Sequence, residues 1–404
     1  MTVWVLVFVL LQGALAADLV ESWSLDDDAG FVSTGDTVQW AWGTVSSGPG
    51  SGYDGETAWA TVLDGDYLHD STDELTLASV DLTSLSRPVL GFVHWYDIDQ
   101  DDGAWVEIFS DGAWQVAEPI YGYVSESGFV DASGDWETSW VDLTGLDDSG
   151  QVRFVLSTDT SVSRAGWYLD NLVLWDGDPV PPSIRGVSEL SDTQDLEGPY
   201  VVSATVVDDL ATPTVELVWS VGGVEERETL VNQGDDLYEG EIPGQDPDTE
   251  MSWWIEASDG ENLAISPDEG VHEFRVYLAS PTDLTFLDDR LVGTEIELDW
   301  TPPDSPHEVL YYRIYRDDEF LEVGMEPPLH VGVEEESHTF EVAAFYDAGE
   351  GDRSESLAVD VYLPEVTSLA PAEAWQGDQV RVEVRGSYLL FAEEGVEIEM
   401  GAGI

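Results

Sequence analysis

The sequence predicts an all-β protein built as tandem β-sandwiches, and three observations predict it. Apolar and polar residues alternate with a period of two in many short segments. Clusters of Gly, Asp, Ser and Pro separate those segments at short intervals. No segment keeps the three-to-four-residue spacing of an amphipathic helix. With 404 residues, several domains are expected rather than one core. Hydrophobic residues at 43 % and aromatics at 11 % supply those cores and set the chain apart from disordered acidic tails. A leader is expected at 1–17, with domains at 18–178, 179–278, 279–364 and 365–404.

The first sixteen residues, MTVWVLVFVLLQGALA, form an apolar run that ends small-x-small at Ala14-Leu15-Ala16. This is the pattern of a cleaved signal peptide, too short for a comfortable membrane span. Export is therefore expected, with no membrane insertion of the mature chain. Cysteine is absent, which removes disulfides and thiolate metal sites.

In the first unit, strands are expected at 37–42, 57–62, 89–96, 105–110, 136–143, 152–157 and 167–175. The stretch 92–114, FVHWYDIDQDDGAWVEIFSDGAW, organises them: a strand, an acidic loop and a second strand. Asp97, Asp99, Asp101 and Asp102 place four carboxylates in six residues, with no basic residue in the loop. Such an oxygen-rich loop between apolar strands points to a bound cation, Ca²⁺ in particular. It is not an EF-hand, because Asp102 stands where that loop needs Gly and Ile108 where it needs Glu. The segment Trp167-Tyr-Leu-Asp-Asn-Leu-Val-Leu-Trp175 is apolar on both faces and reads as a central, doubly covered strand. Asp170 lies within it, on the face expected for Tyr168, Leu172 and Leu174. A carboxylate there must be hydrogen-bonded, paired or bound to a cation, so Asp170 joins the candidate ligands.

The order of short motifs in this unit resembles the jelly-roll module of MAM-like domains, cleaved-adhesin domains and immune-inhibitor-A-type secreted metalloproteases. The pieces are Trp40-Ala-Trp-Gly43, Ala58-Trp-Ala-Thr-Val-Leu-Asp-Gly-Asp-Tyr67, Leu90-Gly-Phe-Val-His-Trp-Tyr-Asp97, Asp102-Gly-Ala-Trp-Val-Glu107 and Gly166-Trp-Tyr-Leu-Asp-Asn171. The resemblance implies a binding or accessory role, with structural Ca²⁺ at Asp170 and the 97–102 loop. Trp40, Trp42, Tyr53, Trp59 and Tyr67 offer rings for stacking on sugars, although core packing explains most of them better.

The linker Asp176-Gly-Asp-Pro-Val-Pro-Pro182 is held extended by its prolines. Strands follow at 200–207, 215–221, 227–231, 237–242, 251–258 and 272–276. Gly198-Pro-Tyr200 and Trp253-Trp-Ile-Glu-Ala-Ser-Asp259 are similar to bacterial Ig-like modules, with Trp219, Trp253 or Trp254 filling the core. Leu298-Asp-Trp300, Tyr311-Tyr-Arg-Ile-Tyr-Arg316 and Phe340-Glu-Val-Ala-Ala344 resemble a fibronectin type III domain. His338 stands where that family places its corner Tyr, and is expected to hydrogen-bond back in its stead. Pro364-Glu-Val-Thr-Ser-Leu-Ala-Pro371 and Val380-Arg-Val-Glu-Val-Arg-Gly-Ser387 resemble the start of an IPT/TIG domain, of which about half is present.

Charge narrows the partners. There are 85 acids against 12 bases, a formal net of −73, and every base is Arg. Such a chain repels nucleic acid and strains its own fold unless ions screen it. The six His are scattered, and no H-E-x-x-H or G-x-S-x-G occurs. The combined expectation is a secreted or surface-displayed, non-enzymatic, adhesin-like protein of bacterial type. Its first domain would meet an extracellular glycan or protein. The alternatives are a carbohydrate-binding accessory module and the non-catalytic portion of a larger secreted hydrolase.

Overall fold

The structure, a computed structural model, describes residues 17–146, 149–286, 295–362, 365–370 and 383–387. The leader and most of the 365–404 unit lie outside the described residues. Among the described residues every regular element is a β-strand, and all paired strands run antiparallel. The expected all-β class is what the chain adopts.

The first domain is two large sheets face to face, with a small two-stranded sheet of Val80–Asp81 and Ser149–Gly150 beside them. One orders Asp131–Ala132, Pro88–Ile98, Gly166–Asp176, Thr57–Ala60 and Ala41–Thr44. Asp18–Trp23 also lies beside Gly166–Asp176, and Glu137–Asp142 beside Pro88–Ile98. The other sheet orders Val32–Gly35, Ser71–Thr76, Val152–Thr158, Gly103–Ser110 and Ala113–Ala117. Inward residues of both faces, among them Phe92, Phe154, Trp167 and Leu169, close one core. Gly166–Asp176 is central, and Trp167 to Asp170 are fully buried, as its unbroken apolar run predicts. Pro88–Ile98 and Gly103–Ser110 belong to different sheets, so the acidic loop is an arch over one end of the sandwich and not a hairpin.

A β-bulge alters one expectation. The register against Pro88–Ile98 shifts between Asp170 and Leu172, and Asn171 takes a φ of 43°. Trp167 and Leu169 face the main core, and so do Leu172 and Leu174. The extra residue therefore places Asp170 with Tyr168 on the outer face and apart from Leu172 and Leu174. The outer face is not bare. Tyr168, Val45, Ala58 and Ala60 form a second small cluster there, joined by Trp95, Trp136 and Leu63.

The strand expected at 37–42 begins at Ala41 instead. Residues 37–39 bend around the carboxylate of Asp73, which accepts the backbone N–H groups of Thr37 and Val38 and the Gln39 amide. The short or edge strands 18–23, 32–35, 113–117 and 131–132 carry no clear alternation, and in the interior strand Ser71–Thr76 the alternating inward positions include the polar Ser71 and Asp73.

The second domain packs Ser183–Arg185, Tyr200–Val207, Leu237–Ile242 and Val231–Gly234 against a sheet of Val224–Thr229, Thr214–Val221, Thr249–Ser258 and Leu263–Ser266. His272–Val276 also pairs with Thr249–Ser258. Trp253 and Trp219 fill its core, while Trp254 points outward to Glu256. The third domain packs Thr282–Phe286, Glu295–Thr301 and Leu329–Gly332 against Glu319–Gly324, Val309–Arg316, Ser337–Tyr346 and Gly349–Arg353, with Trp300 in the core. Leu357–Asp360 also pairs with Ser337–Tyr346, and this pair of three- and five-stranded sheets is of fibronectin type III kind. His338 is buried, and its Nδ1–H donates to Asp317 Oδ2 at 2.8 Å. Of the last unit, Glu365–Ala370 pairs with Glu383–Ser387.

Two seams join the domains. At the first, Arg87 reaches Asp178 Oδ1 (3.1 Å) and Asp209, and the Tyr121 hydroxyl donates to Pro181 O. At the second, Arg275 makes a two-pronged pair with Asp352 at 2.7 and 2.8 Å, and Leu196 packs into both the second and the third core.

Candidate functional site

The arch over the first sandwich holds the four clustered carboxylates, and the fold brings a base to them. Arg164, on the loop leading into Gly166–Asp176, donates from Nε to Asp99 Oδ2 (3.2 Å) and from Nη1 to Asp97 Oδ1 (3.3 Å). Asp102 is buried and accepts the Tyr67 hydroxyl at 2.5 Å and the Asp159 N–H at 2.6 Å. The same Tyr67 oxygen accepts the Asp99 N–H. Burial and the neighbouring carboxylates push the Tyr67 phenol well up, which keeps it a donor. Asp101 is exposed. Protein donors thus occupy most of this loop.

Asp170 is not part of that group. Gly166 pairs with Asp97 and Asp170 with Val93, so four residues of strand, about 13 Å, separate them. Asp170 is fully buried; its Oδ2 accepts the Tyr53 N–H at 2.8 Å and its Oδ1 the Asn171 N–H at 2.9 Å. Burial, reinforced by Asp54 and Asp26, overcomes those two donors and pushes its acid up to about 6. Among the described residues no three Asp, Glu or His side chains converge as metal ligands do. The five candidate cation ligands, Asp97, Asp99, Asp101, Asp102 and Asp170, lie in two places with separate partners. The physical reason is that the arch recruits Arg164 from a distant loop, and the bulge turns Asp170 to the outer face.

A third buried acid escaped sequence reasoning. Asp73 accepts five donors: Thr37 N and Oγ1, Val38 N, Gln39 Nε2 and Ser71 Oγ. Burial raises its acid, but the hydroxyl and amide donors outweigh it and hold the carboxyl below the usual range. The available signal was the alternation of Ser71, Asp73 and Leu75 on one inward face.

Of the five aromatics considered for sugar stacking, Trp40, Trp59 and Tyr67 are buried and Trp42 is half-buried with its N–H on Leu25 O. Tyr53 is 54 % exposed. Its ring meets Trp136 edge-on at 6.2 Å and 65°, and Trp136 packs on the outer-face cluster. Beside them Asn171 Nδ2 donates to Asp54 Oδ2 at 3.0 Å. His94 is a core residue: Nδ1 accepts the Trp167 indole N–H, Nε2 meets Ser139 Oγ, and burial drives its conjugate acid down to about 3. The remaining His sit apart from it, His272 stacked on Trp253, His307 on the Gln194 carbonyl and His69 near Ser163 at the surface.

No known family profile matches the chain. A stretch of 172 residues, 41 % of the chain, is 28 % identical to Bacillopeptidase F of Bacillus subtilis strain 168 and spans 11 % of that protein's length. Among solved structures, a two-domain fibronectin type III segment of chicken tenascin is 16 % identical, covering 45 % of this chain and 99 % of its own at a TM-score of 0.22. The fibronectin(III)-like modules of Clostridium thermocellum CbhA are 16 % identical, covering 45 % of this chain and 95 % of theirs at 0.19. The glycoside hydrolase domain of Endo-D from Streptococcus pneumoniae R6 is 12 % identical, covering 82 % of this chain and 36 % of its own at 0.25. The class follows from the strand order itself: a modular protein of tandem β-sandwiches, fibronectin type III and Ig-like in kind. No described helix is long and apolar enough to cross a membrane.

Proposed function

We propose that this is an exported, non-enzymatic binding protein whose first sandwich is a recognition module of MAM-like or cleaved-adhesin type, carried on a two-domain stalk. The observation that supports it most is the pair of ion-paired seams, at Arg87 and at Arg275, which hold the first domain at the end of a stiff arm. Display of that kind multiplies weak contacts to an extracellular glycan or protein. Residues 365–404 would begin a further, IPT/TIG-like unit. The test is a screen of the full chain against glycan and matrix-protein arrays, in low and high salt. Retention of at least one ligand class in high salt supports recognition; signals that all vanish with salt leave only charge-driven adsorption.

Calcium belongs to this reading as a stabiliser of the acidic skin, with the exposed Asp101 and the half-buried Asp97 and Asp99 as the arch's carboxylates open to it. Melting curves in Ca²⁺ and in Na⁺ at equal ionic strength separate coordination from screening. A higher midpoint in Ca²⁺ supports bound ions, and superposed curves leave screening alone.

The stretch similar to Bacillopeptidase F favours a second reading, the non-catalytic portion of a larger secreted protease. Immunoblots of the native host with a casein overlay test it. A native band far larger than the 404-residue chain and coincident with casein clearing supports it; a band of this chain's size without clearing speaks for the free adhesin.

A further inference from the structure

We propose that Tyr53, Trp136 and the Asp54–Asn171 pair form a subsite for one pyranose ring of a neutral glycan. The inference deepens the recognition-module reading and rests on it. Tyr53 is 54 % exposed in a domain that buries Trp40, Trp59 and Tyr67. The 65° meeting with Trp136 leaves a ring face open to the apolar face of a sugar. Behind the shelf stand Trp95 and Tyr168, themselves edge-to-face at 5.4 Å, so the platform has a packed backing.

The shelf is also fixed from below. The Tyr53 N–H is held by the fully buried Asp170, and a Cβ on Gly52 would come within 2.3 Å of the Thr57 carbonyl oxygen. The loop is thus wedged against its strand, and binding need not order it. The bulge at Asn171 aims its amide to Asp54 instead of along the ladder. An exposed carboxylate joined to an amide presents acceptors and donors side by side, the complement of neighbouring sugar hydroxyls.

Charge selects the sugar class. A chain of net −73 disfavours uronates, sulfated glycans and teichoic polymers. Two rings in an open angle do not enclose a cation as an aromatic cage does. Stacking of a neutral ring is indifferent to salt, whereas capture of a cationic ligand by the exposed Asp54 would be screened.

The experiment titrates the full chain with cellohexaose, xylohexaose, mannohexaose, maltohexaose and chitohexaose, following tryptophan fluorescence in about 0.1 M and about 1 M NaCl. At least one sugar is expected to bind with equal affinity at both salts. Tyr53→Ala should weaken it roughly tenfold with an unchanged melting point, and Tyr53→Phe should retain it. Absence of binding by every sugar, binding untouched by Tyr53→Ala, or binding that collapses in high salt overturns the subsite. Array ligands that bind equally well to the Tyr53→Ala chain would sink the shelf while leaving the recognition module standing.

Discussion

Two buried groups on neighbouring strands titrate in opposition. Asp170, raised to about 6, carries its proton in the folded state where the unfolded chain has already lost it, so its contribution to stability falls as pH rises from about 4 to about 6. His94, lowered to about 3, stays neutral where the unfolded chain is protonated, so its contribution falls as pH drops below about 6.5. Between about pH 4 and 6 each contributes a slope near 1.4 kcal/mol per pH unit, of opposite sign. Relative to wild type, Asp170→Asn should therefore lose stability progressively on acidification across that window, and His94→Gln should gain it. Denaturant melts at stepped pH check both signs; parallel difference curves would show that neither group titrates as its burial requires. Arg164 offers a third residue-level test. Arg164→Gln leaves Asp97 and Asp99 facing each other without a cation and should cost about 1 kcal/mol, a shift of a few degrees in melting point. The same variant should respond to added Ca²⁺ more than wild type, since it vacates two carboxylates.

Strand by strand, legibility tracked how strongly burial imposed a pattern. The long central strands Pro88–Ile98 and Gly166–Asp176 and most of the second domain's ladders were readable, because two faces of a covered strand leave little choice of residue. Val32–Gly35 and Ala113–Ala117 were not, because edge strands expose most of their residues and keep no alternation. The segment at 37–40 carried strand-like residues but serves Asp73, a tertiary demand invisible to local spacing. The candidate site divided in the same way. That Asp170 is buried and needs partners could be read; that a bulge at Asn171 sends it outward could not, since a single αL residue has no periodic signature. Asn171→Val tests the bulge: a β-branched residue at φ 43° should cost about 1–2 kcal/mol and move the Tyr53 loop with it, seen as lost protection of the Tyr53 amide in hydrogen exchange.

Across the whole molecule, self-repulsion among 85 acids is the leading electrostatic effect, and among the described residues eight of the chain's 12 arginines answer it in ion pairs with acids. Arg153 bridges Glu74 and Glu107, Arg227 bridges Glu216 and Glu256, and Arg353 reaches Glu341. The remaining acids must be screened, so the melting point should climb steeply from about 0.1 M to about 1 M NaCl, as the Debye length shrinks from about 10 Å to about 3 Å. A flat salt response would remove the argument that the acidic surface is adapted to an ion-rich setting. At the second seam, Arg275→Ala should split a shared thermal transition of the second and third domains into two, read by calorimetry.

Leu196 carries that linkage into synthesis. Its side chain is mortared between two cores, one of which is completed only when the strand at Leu357–Asp360 has been made. A ribosome translating this message releases the earlier domain with an open socket and closes it some 160 residues later, near residue 360. Until then the nascent arm is hinged at its middle, and it stiffens only as the third sandwich locks.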